Sequence, residues 1–354
     1  MLSKDSDVYM YIRVIVTGLD VTETLKRKFH EAGVLIDNED AVVKRMATHI
    51  VSARADGTVE KYTYQVKMFK RFCNEKGFPA SPAHPIHVGM YLSILIDEGK
   101  SSNVVSSAFY AIKWLHNIND HVDPTESAIV KNILESAKRL NSRPVLKKDV
   151  ISREMLIQLC DLYTDSTDII VLRDLSMILL CYTALLRYSD VSELRCCDIN
   201  FMSDHIVVHV RKSKTDVYRA GRDIFVAKGF TSACAIDMLK RYIGASGIDC
   251  SSEDFLFKPA CRSKSNCFLI IKNKKLSYSR ARECIVGKLK LVAPELRLGT
   301  HSLRASGATA AANAEGVSER CLKRHGRWKS DSAKDGYVDD SVEKKLFITK
   351  QMKL

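Results

Sequence analysis

Apolar side chains return every three or four positions along most of this chain, a spacing that a helix buries on one face, and only one long stretch departs from it. Val59, Tyr62, Val66, Phe69 and Cys73 set the pattern, with Thr58 placed to cap the start and Gly77 to end it. Three more helices are predicted: from Ile86 to Glu98, closed by Gly99; from Asn103 to Asn117, opened by Ser101 and Ser102; and from Pro124 to Leu140, with proline in the first turn. Residues 39–140 are therefore expected to form a small all-helical domain. The first 38 residues fit no clear element. Residues 141–150 (NSRPVLKKDV) have no apolar period and contain Pro144, which reads as a linker before a capped helix start at Ser152. The exception to the helical pattern is residues 205–226, where apolar and polar side chains alternate around basic turns and predict an antiparallel hairpin. The expected class is mainly α with a small antiparallel β-sheet (α+β), the second domain running over 151–354.

Charge narrows the partners. The 354 residues carry 55 basic and 42 acidic side chains, a surplus of 13 that favours a polyanion, with nucleic acid first among them. With 46% hydrophobic residues and only 16 glycines and 7 prolines, disordered and collagen-like chains are excluded. The apolar opening is short and broken by Arg13, which argues against a signal or membrane span. Eleven cysteines without a CxxC pair predict reduced, mostly buried thiols and no metal site. In the helical domain Lys67, Lys70, Arg71 and Lys113 are either solvated charge or contacts that track a phosphate backbone.

Several residues further on are capable of chemistry. Thr183 to Ile199 reads TALLRYSDVSELRCCDI, in which Arg187 precedes Asp190 by three positions. Lys214 sits in the turn RKSKTD of the predicted hairpin. In GTHSLRASGATAAANAEG, His301 and Arg304 are three apart on an alanine-rich helix, which places both on one face, and Gly316 is placed to end it. The segment CLKRHGRWKSDSAKDGYVDD then brings Arg320, Lys323, Arg324, Arg327 and Lys329, with Trp328 nine positions before Tyr337.

This ordered set, Arg187, Lys214, His301 to Arg304, Trp328 and Tyr337, resembles the tyrosine recombinase (phage integrase) family over about residues 150–345. Residues 39–140 resemble that family's core-binding domain in pattern only. HSLRASGATAAANAEG and HGRWKSDSAKDGYV look most like recombinases of eukaryotic mobile elements. Two departures stand out. Where many members carry Gly-His-Ser-Ser, this chain has Gly326, Arg327 and Trp328, and the acidic position after the first arginine is Asp190 rather than the commoner glutamate.

The resemblance implies site-specific cutting and rejoining of DNA through a 3′-phosphotyrosyl intermediate, with no cofactor, metal or ATP. Attack on a phosphodiester builds charge on two non-bridging oxygens, and a guanidinium presents a planar fork that holds two oxygens at once. Arg187 and Arg304 are that pair. Lys214, its acidity raised by neighbouring cations, is the general acid for the leaving oxygen. Tyr337 is the nucleophile; His301 either takes its proton or holds a phosphate oxygen; Trp328 donates an indole N–H; Asp190 orients Arg187 or His301. Arg320, Lys323 and Arg324 join Lys67, Lys70, Arg71 and Lys113 as DNA-binding candidates. Implied partners are double-stranded DNA clamped by the two domains and further copies of the chain, two per site and four in a synapse, with Leu346, Phe347 and Ile348 of the C-terminal segment as anchors. Residence would be intracellular, in the nucleus of a eukaryote or otherwise with the nucleoid. The competing reading is a domesticated regulator that binds DNA through the same fold without cutting it.

Overall fold

The computed structural model describes residues 21–34, 41–142, 146–213, 216, 220–263 and 266–352. It divides after residue 145 into two compact units.

The first unit is all-helical. Its elements are α1 (Val21–Glu31), α2 (Ala41–Ser52), α3 (Asp56–Lys76), α4 (Pro85–Asp97), α5 (Ser102–Ile118), a 3₁₀ turn at Pro124–Glu126 and α6 (Ala128–Leu140). The long α3 begins at Asp56, so Thr58 lies inside its first turn and does not cap it; Gly77 does end it, at φ 69° with its N–H turned back to Asn74. The stretch from Pro124 does not form one helix, because Ser127 takes an extended ψ of 135° between the 3₁₀ turn and α6. Two apolar cores form. Phe69, Leu92, Ile112 and Val130 join α3, α4, α5 and α6, while Val21, Val43, Val59 and Trp114 tie α1 and α2 to the same long helices. The four-residue spacing of Val21, Leu25 and Phe29 is thus a helical period within a stretch whose sequence suggested no element.

The second unit is built round α8 (Ile169–Thr183), eleven of whose residues are buried. It follows α7 (Arg153–Asp161), capped by Ser152, and leads through the short α9 (Tyr188–Val191) to a three-stranded antiparallel sheet. That sheet runs β1 (Ile199–Phe201), β2 (His205–Val210) and β3 (Arg222–Ala227), with Val208 opposite both Ile199 and Ile224. The predicted hairpin is therefore the β2–β3 pair, extended by β1. Then come α10 (Ala235–Ser246), a second hairpin of β4 (Ala260–Ser263) and β5 (Asn266–Leu269), α11 (Tyr278–Leu289), α12 (Thr300–Asn313), α13 (Glu319–His325), α14 (Asp331–Asp335) and α15 (Val342–Gln351). Helix α12 stops at Asn313, three residues before Gly316. The protein is thus mainly α-helical with two small antiparallel sheets. A large core centred on α8 holds the unit together, and a separate small one of Leu185, Ala308, Leu322 and Trp328 lies under the segment that carries Tyr337. All eleven cysteines are free, but only five are buried, fewer than composition suggested.

Candidate active site

Four segments converge on Arg304. The guanidinium, wholly buried, donates to the carbonyls of Leu185 and Gly326. Its central carbon lies 4.8 Å from the ring centre of Trp328 and 5.1 Å from that of Tyr337, whose rings are 5.6 Å apart. A delocalised cation is weakly hydrated to begin with, and contact with two aromatic rings further lowers the cost of burying it. Burial and the nearby charges of Arg187 and Arg327 nevertheless pull its pKa from 12.5 down to about 10, and it stays protonated at neutral pH.

Close backbone approach makes this arrangement possible. A Cβ on Gly307 would stand 2.1 Å from the carbonyl oxygen of Tyr182, so glycine is what lets α12 press against the end of α8. A Cβ on Gly326 would meet the Trp328 ring at 1.8 Å. Past α8 the backbone turns left-handed at Leu185, φ 46°, and Arg327 does the same at φ 57°. Each costs an L-residue about 1–2 kcal/mol. Both flank the site, where the Leu185 carbonyl so presented accepts from Arg304 and Arg327 alike.

Asp190 engages Arg187 through the main chain and a second arginine through its side chain. Its carboxylate accepts the main-chain N–H of Arg187 at 3.2 Å, closing the first turn of α9, and the guanidinium bound to it is that of Arg327, at 2.8 Å. Arg187 is held through its backbone, and its Nη1 is buried without a partner.

Tyr337 is stitched to the helix of Arg304. Thr309 Oγ1 donates to the Tyr337 carbonyl at 3.4 Å and accepts from Asp339 N–H at 3.1 Å; Asn313 bonds the carbonyl of Asp339 and the N–H of Ser341. The buried Lys334 on α14 pairs with Glu319 on α13 and so ties the tyrosine's segment to the basic helix. His325 hydrogen-bonds the Thr183 carbonyl at 2.8 Å and is thereby anchored away from the reacting groups, which leaves Trp328 beside the tyrosine.

His301 opens α12 on the exposed side although Arg304, one turn on, is buried. The two lie one turn apart on the same helix but differ in burial: Thr300, Ser302, Leu303 and Arg304 are buried, and His301 is the exposed residue of that first turn. Lys214 lies outside the described residues; the hairpin positions beside it, Ser213 and Asp216, line a pocket of about 390 Å³ together with Arg320, Lys323, Arg324 and Trp328. Of the cations there, Lys323 also pairs with Asp331 at 3.0 Å.

Among the DNA-binding candidates of the first unit, Lys67 is exposed. Arg71 reaches Glu75 at 3.7 Å, within its own helix, and Lys70 is half-buried. Lys113 is committed to Asp123 at 3.0 Å and to Glu126, both of which raise its pKa. Among the described residues no group of three or more His, Cys, Asp or Glu side chains is placed to hold a metal, and no helix is long and apolar enough to cross a membrane.

Comparison with known proteins gives the family. Residues 146–344 match the model of the phage integrase family, more than half of the chain. The chain belongs to that family. An integrase/recombinase xerD homolog of Selenomonas ruminantium is 25% identical over 310 residues, 86% of this chain and 87% of the relative. Among solved structures, the XerH site-specific recombinase bound to palindromic difH substrate, a post-cleavage complex, superposes with a TM-score of 0.55 at 14% identity, over 87% of this chain and 81% of that one. A lambda integrase dimer bound to a COC′ core site gives 0.52 at 15% identity, over 82% and 90%. At these identities the structures speak for the fold.

Residue reasoning missed two things here. Arg327 was visible only as one member of a basic run, and nothing in one dimension showed that it folds inward while Arg320 and Arg324 stay exposed. The β4–β5 hairpin was missed because its strands are four residues each, too short for alternation to register.

Proposed function

We propose that this chain is a site-specific DNA recombinase that cuts and rejoins strands through a 3′-phosphotyrosyl bond, of the kind carried by eukaryotic mobile elements. The observation that carries the reading is Arg304 packed against both Trp328 and Tyr337, with Arg187 near enough to depress its pKa.

In the proposed reaction the phenolic oxygen of Tyr337 forms a bond to phosphorus as the bond to the 5′-oxygen breaks. The phenol's proton passes to His301 or, where His301 instead holds a phosphate oxygen, to solvent water; the 5′-oxygen takes its proton from Lys214. Arg187 and Arg304 hold the non-bridging oxygens as their charge grows, and Trp328 adds its indole N–H. Attack by a DNA hydroxyl on the phosphotyrosyl bond reverses these steps, so the energy of the linkage is conserved and no ATP is consumed. Asp190 keeps Arg187 in register through the main chain.

The surplus of 13 positive charges supports binding to duplex DNA. Lys67, Lys70, Arg71, Arg320, Lys323 and Arg324 are proposed as backbone contacts, and Lys113 only if its carboxylate partners release it. The similar lambda integrase is a dimer on its core site, and we assign the same kind of assembly to this chain, with α15 as the link. None of the residues of that helix is buried, and Leu346, Phe347 and Ile348 stand 46, 59 and 65% exposed.

The test is an SDS-resistant adduct with nicked duplexes recovered from a randomised pool. Wild type should form it and Tyr337→Phe should not, with duplex binding retained. Binding without any adduct would favour the domesticated regulator instead.

A further inference from the structure

Buried donors without acceptors are concentrated in one place. Among the described residues eight buried side-chain polar atoms have no hydrogen-bond partner, and five of them are Arg187 Nη1, Arg304 Nε, Arg327 Nε, Arg327 Nη1 and Trp328 Nε1. Folded proteins leave few such groups, since each forfeits its solvation without return. Five around one guanidinium mark a site shaped for an acceptor that the chain itself does not supply. Arg327 contributes two of them. Its side chain is 5% exposed, and only Nη2 is engaged, with Asp190 at 2.8 Å and the Leu185 carbonyl at 3.4 Å.

Charge identifies the missing acceptor. Among the described residues three guanidiniums, of Arg187, Arg304 and Arg327, share this cluster with one carboxylate, that of Asp190, and Arg222 adds a further positive charge close enough to act on Arg327, so positive charge is in excess. Mutual repulsion adds to burial in lowering the pKa of both Arg304 and Arg327. An anion with several oxygens, able to accept N–H groups from different directions, relieves both deficits together. The backbone points the same way. Arg327 occupies a left-handed conformation that favours glycine, φ 57°, yet this chain keeps a long cationic side chain there.

We propose that Arg327 is a third guanidinium of the anion site, its Nε–H and Nη1–H directed to an oxygen of the bound phosphate while Asp190 grips Nη2. The pairing of Asp190 with Arg327 is then what aims the donor, and the excess of positive charge suits the two negative charges that a phosphodiester carries when the tyrosine has added and the leaving oxygen has not yet gone. Naming that anion a DNA phosphodiester rests on the function proposed above; the site itself does not.

Calorimetric titration of the full chain with sodium sulfate at constant ionic strength tests the site without DNA. Wild type should bind sulfate. Arg327→Lys keeps the charge and the reach to Asp190 but loses the fork, and should bind about tenfold more weakly or worse. The double variant Asp190→Asn, Arg327→Gln replaces the buried ion pair with a neutral amide pair; its melting temperature should return towards wild type while sulfate affinity stays at least about tenfold down. Sulfate affinity within about twofold of wild type in either variant overturns the proposal, as does a wild-type chain that does not bind sulfate. Sulfate binding needs neither Tyr337 nor a duplex, so these results stand apart from success or failure in forming the tyrosine adduct.

Discussion

The ring of Tyr337 lies 5.1 Å from the guanidinium carbon of Arg304 in the same chain, and Thr309 and Asn313, on the helix of that arginine, hold the backbone just beyond the tyrosine. The proposed nucleophile and the proposed phosphate clamp are thus brought together within one chain.

It follows that cleavage is expected in cis. Mixing Tyr337→Phe with Arg304→Ala protomers should give no adduct, because no subunit then carries both groups. Recovery of adduct in the mixture would mean that a partner donates the tyrosine.

Two glycines near the site should respond differently to alanine. Gly307→Ala places a methyl group 2.1 Å from a carbonyl oxygen, which has no rotamer with which to move aside, so α12 must shift. Overpacking of this kind costs about 1–3 kcal/mol, which thermal melting would show as a clear fall in Tm together with lost adduct. Gly326→Ala meets the Trp328 ring first, a side chain and not the backbone. A smaller change in melting with an equal loss of adduct is expected, and Tm falling more in Gly326→Ala than in Gly307→Ala would contradict the packing described.

His116 should make the protein sensitive to acid. The ring is buried, with Nε2 accepting the Ala83 N–H at 2.9 Å and Nδ1 donating to the Ile112 carbonyl at 2.8 Å. Burial lowers its pKa below the ordinary 6.5, so the unfolded chain binds the proton more readily. Its contribution is complete above pH 6.5 and is lost as pH falls through the depressed value. Melting temperatures of wild type and His116→Gln measured from pH 7.5 to 5 should converge, the variant showing the flatter profile; parallel profiles would remove His116 as the cause.

Removal of α15 by ending the chain at Ser341 should leave folding intact, since no residue of the helix is buried. The expected change in stability is within about 0.5 kcal/mol, as for a surface change. Assembly should fail instead: sedimentation of the shortened chain on a duplex would show one protomer where wild type shows two or more. A shortened chain that assembles normally would place the interface elsewhere.

Fold class was legible from period alone. The helices of 56–140 and the β2–β3 hairpin were placed to within a few residues because amphipathic faces leave a mark on every turn, whereas the four-residue strands of the β4–β5 hairpin left little. Cap positions were less readable: the sequence offered Thr58, but α3 starts at Asp56. Any of several small polar residues suits the end of a helix, and the packing of neighbours selects one.

Residue types and their order determined the candidates: two arginines, a tryptophan and a tyrosine at family spacing can be read without coordinates, and so can the surplus of positive charge. Which cation meets which partner was decided only in three dimensions. Asp190 receives Arg327 from 137 positions away while holding its near neighbour Arg187 by the main chain, and His301 remains exposed while Arg304 is buried. The physical reason is that residue identity sets charge and hydrogen-bonding capacity locally, whereas burial and distance depend on how α8, α12 and the Gly326–Arg327 turn pack together.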